Sequence, residues 1–216
     1  MKQYLKRDGP PQLSEGEYNI FQGYVHDELT DEQYEKWMLE PELKLLYDRI
    51  DYHFKHVLAA GNEEFDEYQR KWWAYVLRHG HIKCGTTLFY FGEEGTGKGL
   101  ALVQLMSYGI IGKSYAWVCT NLKRFTGNFS AHRFGKIAVI FNECVDMGKG
   151  GEWDKLKAVI ADDEYVHEGK GKAMFMRAET AAYVFISNWA NAVKLGNGDR
   201  RYTCIEMSQH KLGDHD

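Results

Sequence analysis

Proline is scarce, with 3 in 216 residues, and no apolar run approaches the roughly 20 residues that a membrane-spanning helix needs. Few prolines beside 44% hydrophobic and 14% aromatic residues exclude disordered, collagenous and low-complexity chains, and leave enough apolar mass for a sizeable core. The N-terminal MKQYLKRDGPPQLSEGEYN has charges but no apolar segment behind them, so neither secretion nor membrane insertion is expected. Cys84, Cys119, Cys144 and Cys204 form no CxxC pair and have no nearby CxH pattern, which argues against a metal or redox site and for reduced thiols inside a cell. A strong net charge is missing too, at −4, but the charge is unevenly spread: residues 11–70 carry 15 acids and 5 bases, and residues 71–216 carry 15 acids and 19 bases. The mildly basic body permits a nucleic-acid partner without demanding one.

What is present suits one ordinary domain with a small extra lobe. After the Gly9-Pro10-Pro11 break, Leu43, Leu46, Ile50, Phe54 and Val57 recur at helical spacing behind Pro41. A second amphipathic helix is predicted over Glu63–His79, with Phe65, Tyr68, Trp72, Tyr75 and Val76 on one face and acids in its first turn. These define an N-terminal segment and helical lobe over residues 1–80, whose aromatics read as core. From residue 81 to 216 the pattern becomes short β-rich runs, at Thr86–Phe91, Tyr115–Thr120, Ile137–Phe141, Tyr183–Ser187 and Tyr202–Glu206, with helices expected at Lys98–Tyr108 and Glu152–Ala161. Buried strands alternating with helices predict an α/β fold with a largely parallel sheet.

The first run, TTLFYF, leads into Gly92-Glu93-Glu94-Gly95-Thr96-Gly97-Lys98-Gly99 and the apolar helix that begins at Leu100. This is G-x-x-x-x-G-K in a strand–loop–helix setting, the pattern of a P-loop NTPase. Glycines let the backbone wrap closely, so that N–H groups and the helix start point at the phosphates of a nucleotide, with Lys98 supplying a point charge. The position after the lysine, usually Ser or Thr for Mg²⁺, is Gly99. About forty residues on, KIAVIF ends in Asn142-Glu143: Glu143 takes the place of a water-activating carboxylate, and an amide stands where the metal-site acid would be. Together Asn142 and Glu143 would hold Mg²⁺ mostly through water.

A third run, AYVFI, ends in Ser187-Asn188, which would bring an amide to the γ-phosphate if that strand lies beside the other two. Asp199-Arg200-Arg201-Tyr202 follows. Between the second and third runs, Tyr165–Phe175 places Lys170 and Lys172 among glycines, which reads as a β-hairpin whose basic tip follows a phosphate backbone, or else as a plain solvated turn.

The ordered series GEEGTGKG, KIAVIFNE, VHEGKGK, FISN and GDRRY resembles the superfamily 3, AAA+-like helicases of viruses and phages, and more closely looks like the helicase part of phage and mobile-element primase-helicases and primase-polymerases. The similarity takes in Asn19–Tyr24, Glu67–Ala74, Leu122–Phe125 with Asn128-Phe129, and Leu156–Ile160, about residues 19–208 in all. The resemblance implies an intracellular ATP-driven ring, a hexamer, that moves on single-stranded DNA at replication sites with ATP and Mg²⁺. By position, Lys98 binds phosphate, Glu143 activates water, Asn188 senses the γ-phosphate, and Arg200 or Arg201 reaches a neighbour's nucleotide. Lys170 and Lys172 fall where the family has its DNA-contacting hairpin. A primase or origin-binding domain would lie on another chain or outside this sequence. A non-hydrolysing, nucleotide-gated DNA-binding ring or loader scaffold is the alternative, set up by Gly99 and Asn142.

Overall fold

The computed structural model describes residues 2–4, 17–127, 133–143, 151–162, 164–167, 175–193 and 199–209. Its centre is a five-stranded sheet, all parallel, built from β3 (Thr87–Phe91), β4 (Ala116–Cys119), β5 (Ala138–Asn142), β8 (Ala182–Ser187) and β9 (Tyr202–Glu206) in the order β4-β5-β8-β3-β9. All five predicted strands form, each within about one residue of its expected ends. Two further pairs lie apart: β1 (Lys2–Tyr4) runs parallel to β2 (Glu17–Asn19), and β6 (Glu164–His167) runs antiparallel to β7 (Phe175–Ala178).

Alternation along the strands decides what covers each face. Leu88, Tyr90, Ala138, Ile140, Val184 and Ile186 join one buried cluster with Trp72, Trp73 and Val76 of α3 (Glu63–Arg78) and with the apolar helix Gly99–Ile111. Phe89, Val139, Phe141, Tyr183 and Phe185 join the other, with Phe125 of α4 (Leu122–Thr126) and Trp153, Leu156 and Val159 of α5 (Glu152–Ala161). A sheet buried on both faces explains why its strands read as continuous apolar runs. The helix Gly99–Ile111 is longer than expected and wound with i→i−5 bonds; it ends at Gly112, whose φ of +87° few other residues would adopt.

The helical lobe contains α1 (Asp31–Leu39), α2 (Pro41–Tyr52), a π-wound turn at His53–Leu58 and α3. In α1, Thr30 Oγ1 accepts from Gln33 N–H at 3.2 Å and Gln33 Oε1 accepts from Thr30 N–H at 2.9 Å, a reciprocal cap on the first turn. Pro41 opens α2, and Asn62 caps α3 by accepting from Phe65 N–H. The apolar spacing that runs along α2 into the next turn is covered mainly at its far end. Phe54, Val57, Trp72 and Val76 are buried, whereas Leu46 and Ile50 are 56% and 44% exposed and Trp37 of α1 is 48% exposed. The sheet and α3 cover the turn His53–Leu58, and nothing among the described residues covers the outer face of α1 and α2. No helix among the described residues is long and apolar enough to cross a membrane.

Candidate functional site

Parallel strands end their carboxyl ends on one edge, so register decides which loops meet. Phe91 pairs with Ser187, and Asn142 with Ile186. The glycine loop after β3, Asn142-Glu143 after β5 and Ser187-Asn188 after β8 therefore leave the sheet side by side. Gly92 N–H donates to Ser187 O at 3.2 Å and Glu143 N–H donates to Ile186 O at 3.0 Å, which stitches the three ends together. This edge is where open α/β sheets bind ligands.

Within the loop, Gly95 and Gly97 have φ of +83° and +81°, the left-handed region that glycine enters freely. Thr96 Oγ1 donates to Glu93 O at 3.0 Å. Lys98 is only 6% exposed and turned back on the loop: Nζ donates to Gly92 O at 2.7 Å, Glu93 O at 2.6 Å and Thr96 Oγ1 at 3.3 Å. Burial pushes the Lys98 ammonium below the usual lysine range, and the charges of Glu143 and Glu94 pull it back up. Lys98 and Glu143, forty-five positions apart in sequence, thus act on each other. Glu93, Glu94, Gly95, Gly99 and Leu100 are open or half-open to solvent, and a Cβ on Gly99 would meet nothing within 4 Å. Packing does not demand glycine at that position.

Glu143 is exposed and has φ of +52°, where a carboxylate-bearing residue is strained. Trp189 N–H donates to Ser187 Oγ at 3.0 Å, which shapes the turn around the half-buried Asn188. A cleft of about 600 Å³ opens beside the loop, walled by Asp48, Ile50, Tyr52 and His53 on the lobe and by Gly97 and Leu100 on the loop side, a size that suits a small organic ligand. Sequence reasoning missed the lobe's share of this cleft; a lone histidine on an amphipathic helix gives no signal by itself.

Arg200 and Arg201 lie elsewhere. Tyr202 pairs with Thr87 at the start of β3 and Glu206 with Phe91 at its end, so the two arginines sit at the amino edge of the sheet. Six positions of strand, about 20 Å, separate them from the glycine loop of the same chain. Arg201 is bound to Asp199 through Nε at 2.8 Å and Nη2 at 2.9 Å, and this partner holds the Asp199 carboxyl below the usual carboxylate range. Arg200 is exposed. The antiparallel stems β6 and β7 form where a hairpin was expected, with Glu164 opposite Ala178 and Val166 opposite Met176, but Lys170 and Lys172 at its tip lie outside the described residues.

For a metal, the edge offers the Asn142 amide and the Glu143 carboxylate, and no cluster of three His, Cys, Asp or Glu occurs among the described residues. Such a donor set fits Mg²⁺ only if phosphate oxygens and water fill most of its shell.

Residues 90–201 match the model of a family of unknown function, DUF5906, and the chain belongs to that family. No curated protein matches the chain. Among solved structures, the apo C-terminal region of NrS-1 shares the fold at TM-scores of 0.62 and 0.65 with 22% identity over 74% of this chain. The chain spans 37% and 38% of those chains. A JCV helicase is more remote, with a TM-score of 0.46 and 14% identity over 73% of this chain and 44% of the other.

Proposed function

We propose that the chain is the ATP-driven motor of a replicative DNA helicase of a virus, phage or mobile element, working as a ring, a hexamer, on single-stranded DNA. The observation that supports it most is the strand register that sets the glycine loop with Lys98, Asn142-Glu143 and Ser187-Asn188 on one edge, in the order in which superfamily 3 helicases use them. In this reading the loop N–H groups of Gly95–Leu100 receive the phosphates and Lys98 exchanges its loop carbonyls for phosphate oxygens. Glu143, pushed out of the strand line by its left-handed backbone, orients and deprotonates the attacking water. Asn188 hydrogen-bonds the γ-phosphate. Bound Mg²⁺ would supply charge neutralisation for the transferred phosphoryl group, held by Asn142 and Glu143 through water. The amino-edge arginines cannot serve this loop, so Arg200 or Arg201 reaches the site of the next subunit. Lys170 and Lys172 are the proposed contacts to the DNA backbone, and a primase or origin-binding partner would be carried on another chain or beyond this sequence.

A second reading, a nucleotide-gated DNA-binding ring or loader scaffold that does not hydrolyse, draws on the amide at Asn142, the missing hydroxyl at Gly99 and the closure of Lys98 onto its own loop. Steady-state ATP hydrolysis with and without single-stranded DNA, over a range of protein concentrations, separates the two. The motor predicts turnover that DNA stimulates and that Lys98→Ala abolishes while the protein still melts cooperatively. Nucleotide binding without turnover, with or without DNA, would establish the scaffold instead. Unchanged hydrolysis in folded Lys98→Ala would refute the role given to the loop.

A further inference from the structure

The turn His53–Leu58 lays an imidazole on the glycine loop. A Cβ on Gly97 would sit 2.5 Å from Cε1 and 2.9 Å from Nε2 of His53, so this glycine is required by the histidine as well as by its own φ of +81°. His53 Nε2 is shut off from solvent and makes no hydrogen bond of good geometry among the described residues, although the Gly97 backbone lies close enough to favour the charged ring. A polar atom left so is costly and uncommon, and it calls for an explanation. The His53 side chain lines the cleft that runs from the loop to Asp48, Ile50 and Tyr52. The backbone here is held in place: Gln69 Nε2 donates to Phe54 O at 2.9 Å, and Gln69 Oε1 accepts from the Tyr90 hydroxyl at 2.9 Å, which ties the turn to α3 and to β3.

We propose that His53 contacts the bound nucleotide: with phosphates on the loop and the nucleoside in the cleft, its Nε2 donates a hydrogen bond to the polyphosphate where the two meet, and this bond links the helical lobe to occupancy of the loop. The proposal rests on the nucleotide reading of the loop. Charged and titratable groups on the elements around His53 include Lys55 and His56 of its own turn, Asp48 and Arg49 of α2, the Asp51–Arg70–Asp66 ion pairs between α2 and α3, and Glu94 and Lys98 of the loop. None of these dominates the ring: burial pushes the imidazolium below its ordinary value, and the Gly97 backbone offsets part of that push. With no anion beside it, a ring shifted in that direction is neutral at neutral pH. A polyanion within hydrogen-bond distance favours the charged ring, so binding takes up a proton. Because the bound state has the higher pKa, affinity is greatest at low pH and falls as pH rises from the free-state value through the bound-state value, by at most about tenfold per pH unit for one proton.

The test is the affinity of the whole chain for a fluorescent Mg·ADP analogue between about pH 5.5 and about pH 8, the range in which histidine titrates. The variants are His53→Ala, His53→Gln and Lys98→Ala, each checked by its melting curve. The expected result is a loss of about tenfold or more for His53→Ala near the acid end, the size of a hydrogen bond to a charged group. His53→Gln should recover part of it through its amide N–H, with a flatter pH profile than the unmodified chain. If Lys98→Ala binds as tightly as the unmodified chain, the nucleotide reading falls and this proposal with it. If Lys98→Ala is weakened but both His53 variants keep the unmodified affinity and profile, this proposal alone is overturned. Weaker binding with an unaltered pH profile in His53→Gln also overturns it, because a purely packing role would give that. Should His53→Ala fail to fold, His53→Gln decides.

Discussion

The two edges of the central sheet are built in opposite ways. At the carboxyl edge the strand ends are held by single backbone bonds such as Glu143 N–H to Ile186 O, the loop lysine occupies carbonyls of its own loop, and Glu143 sits in a left-handed conformation. At the amino edge Asp199 clamps Arg201 with two bonds, and Thr87 N–H donates to Arg201 O at 2.7 Å. One edge carries a buried charge and local strain; at the other Arg201 is paired within the chain, with Arg200 left facing outward. Strain and buried charge gather where a ligand can relieve them, and an edge without them is either structural or serves a site on another molecule.

That contrast can be broken at its outward arginine. If Arg200 completes a neighbour's site, Arg200→Ala should slow turnover by roughly 10³ with nucleotide binding and melting temperature unchanged. Mixing a chain that carries Arg200→Ala and Arg201→Ala with a Lys98→Ala chain should restore part of the activity, because one interface then joins an intact loop to an intact arginine. Activity that does not depend on protein concentration, and no recovery in verified mixed oligomers, would assign the amino edge to structure. A smaller effect is expected between the edges, in the core that holds them in register. Phe185 is fully buried and stacks on Phe141 at 4.7 Å, so Phe185→Ala should lower unfolding free energy by about 3–5 kcal/mol in a denaturant titration. A loss under about 1 kcal/mol would mean that the sheet faces are less tightly packed than described. The smallest effect sharpens the contrast most. Glu143→Gly should relieve left-handed strain and raise stability by about 1 kcal/mol while turnover is lost, a gain at the site that no substitution at Arg201 should match. Lower stability in Glu143→Gly would show that its conformation carries no strain.

The sheet was legible in the sequence because a strand covered on both faces must be apolar along its length, and TLFYF, AVIF and AYVFI are. The glycine loop was legible for a related reason: few patterns place G-x-x-x-x-G-K between such a strand and an apolar helix. α1 was missed although Thr30 and Gln33 spell its cap, since its apolar residues make no clean stripe. α2 was legible as an amphipathic helix, but periodicity does not say what covers the apolar face, and Leu46 and Ile50 stand exposed. Strand order was out of reach, and with it the placing of Arg200 and Arg201 on the far edge. Neither the fold-back of Lys98 nor the contact of His53 with Gly97 leaves any trace in local sequence.

The strand order β4-β5-β8-β3-β9 also has a consequence in time. β3, completed at Phe91, is flanked by β8 and β9, which begin only at Ala182 and Tyr202. Its pairing partners are thus made roughly a hundred residues after it, and closing chain loops of that length is the slow part of folding. During synthesis the strand that will bear the glycine loop waits as an apolar segment with both edges open. It can be sheltered meanwhile by α3, whose Gln69 reaches Tyr90 from close by in sequence. The lobe that forms one wall of the cleft in the finished chain is then also the first packing partner available to the central strand, made well before residue 206.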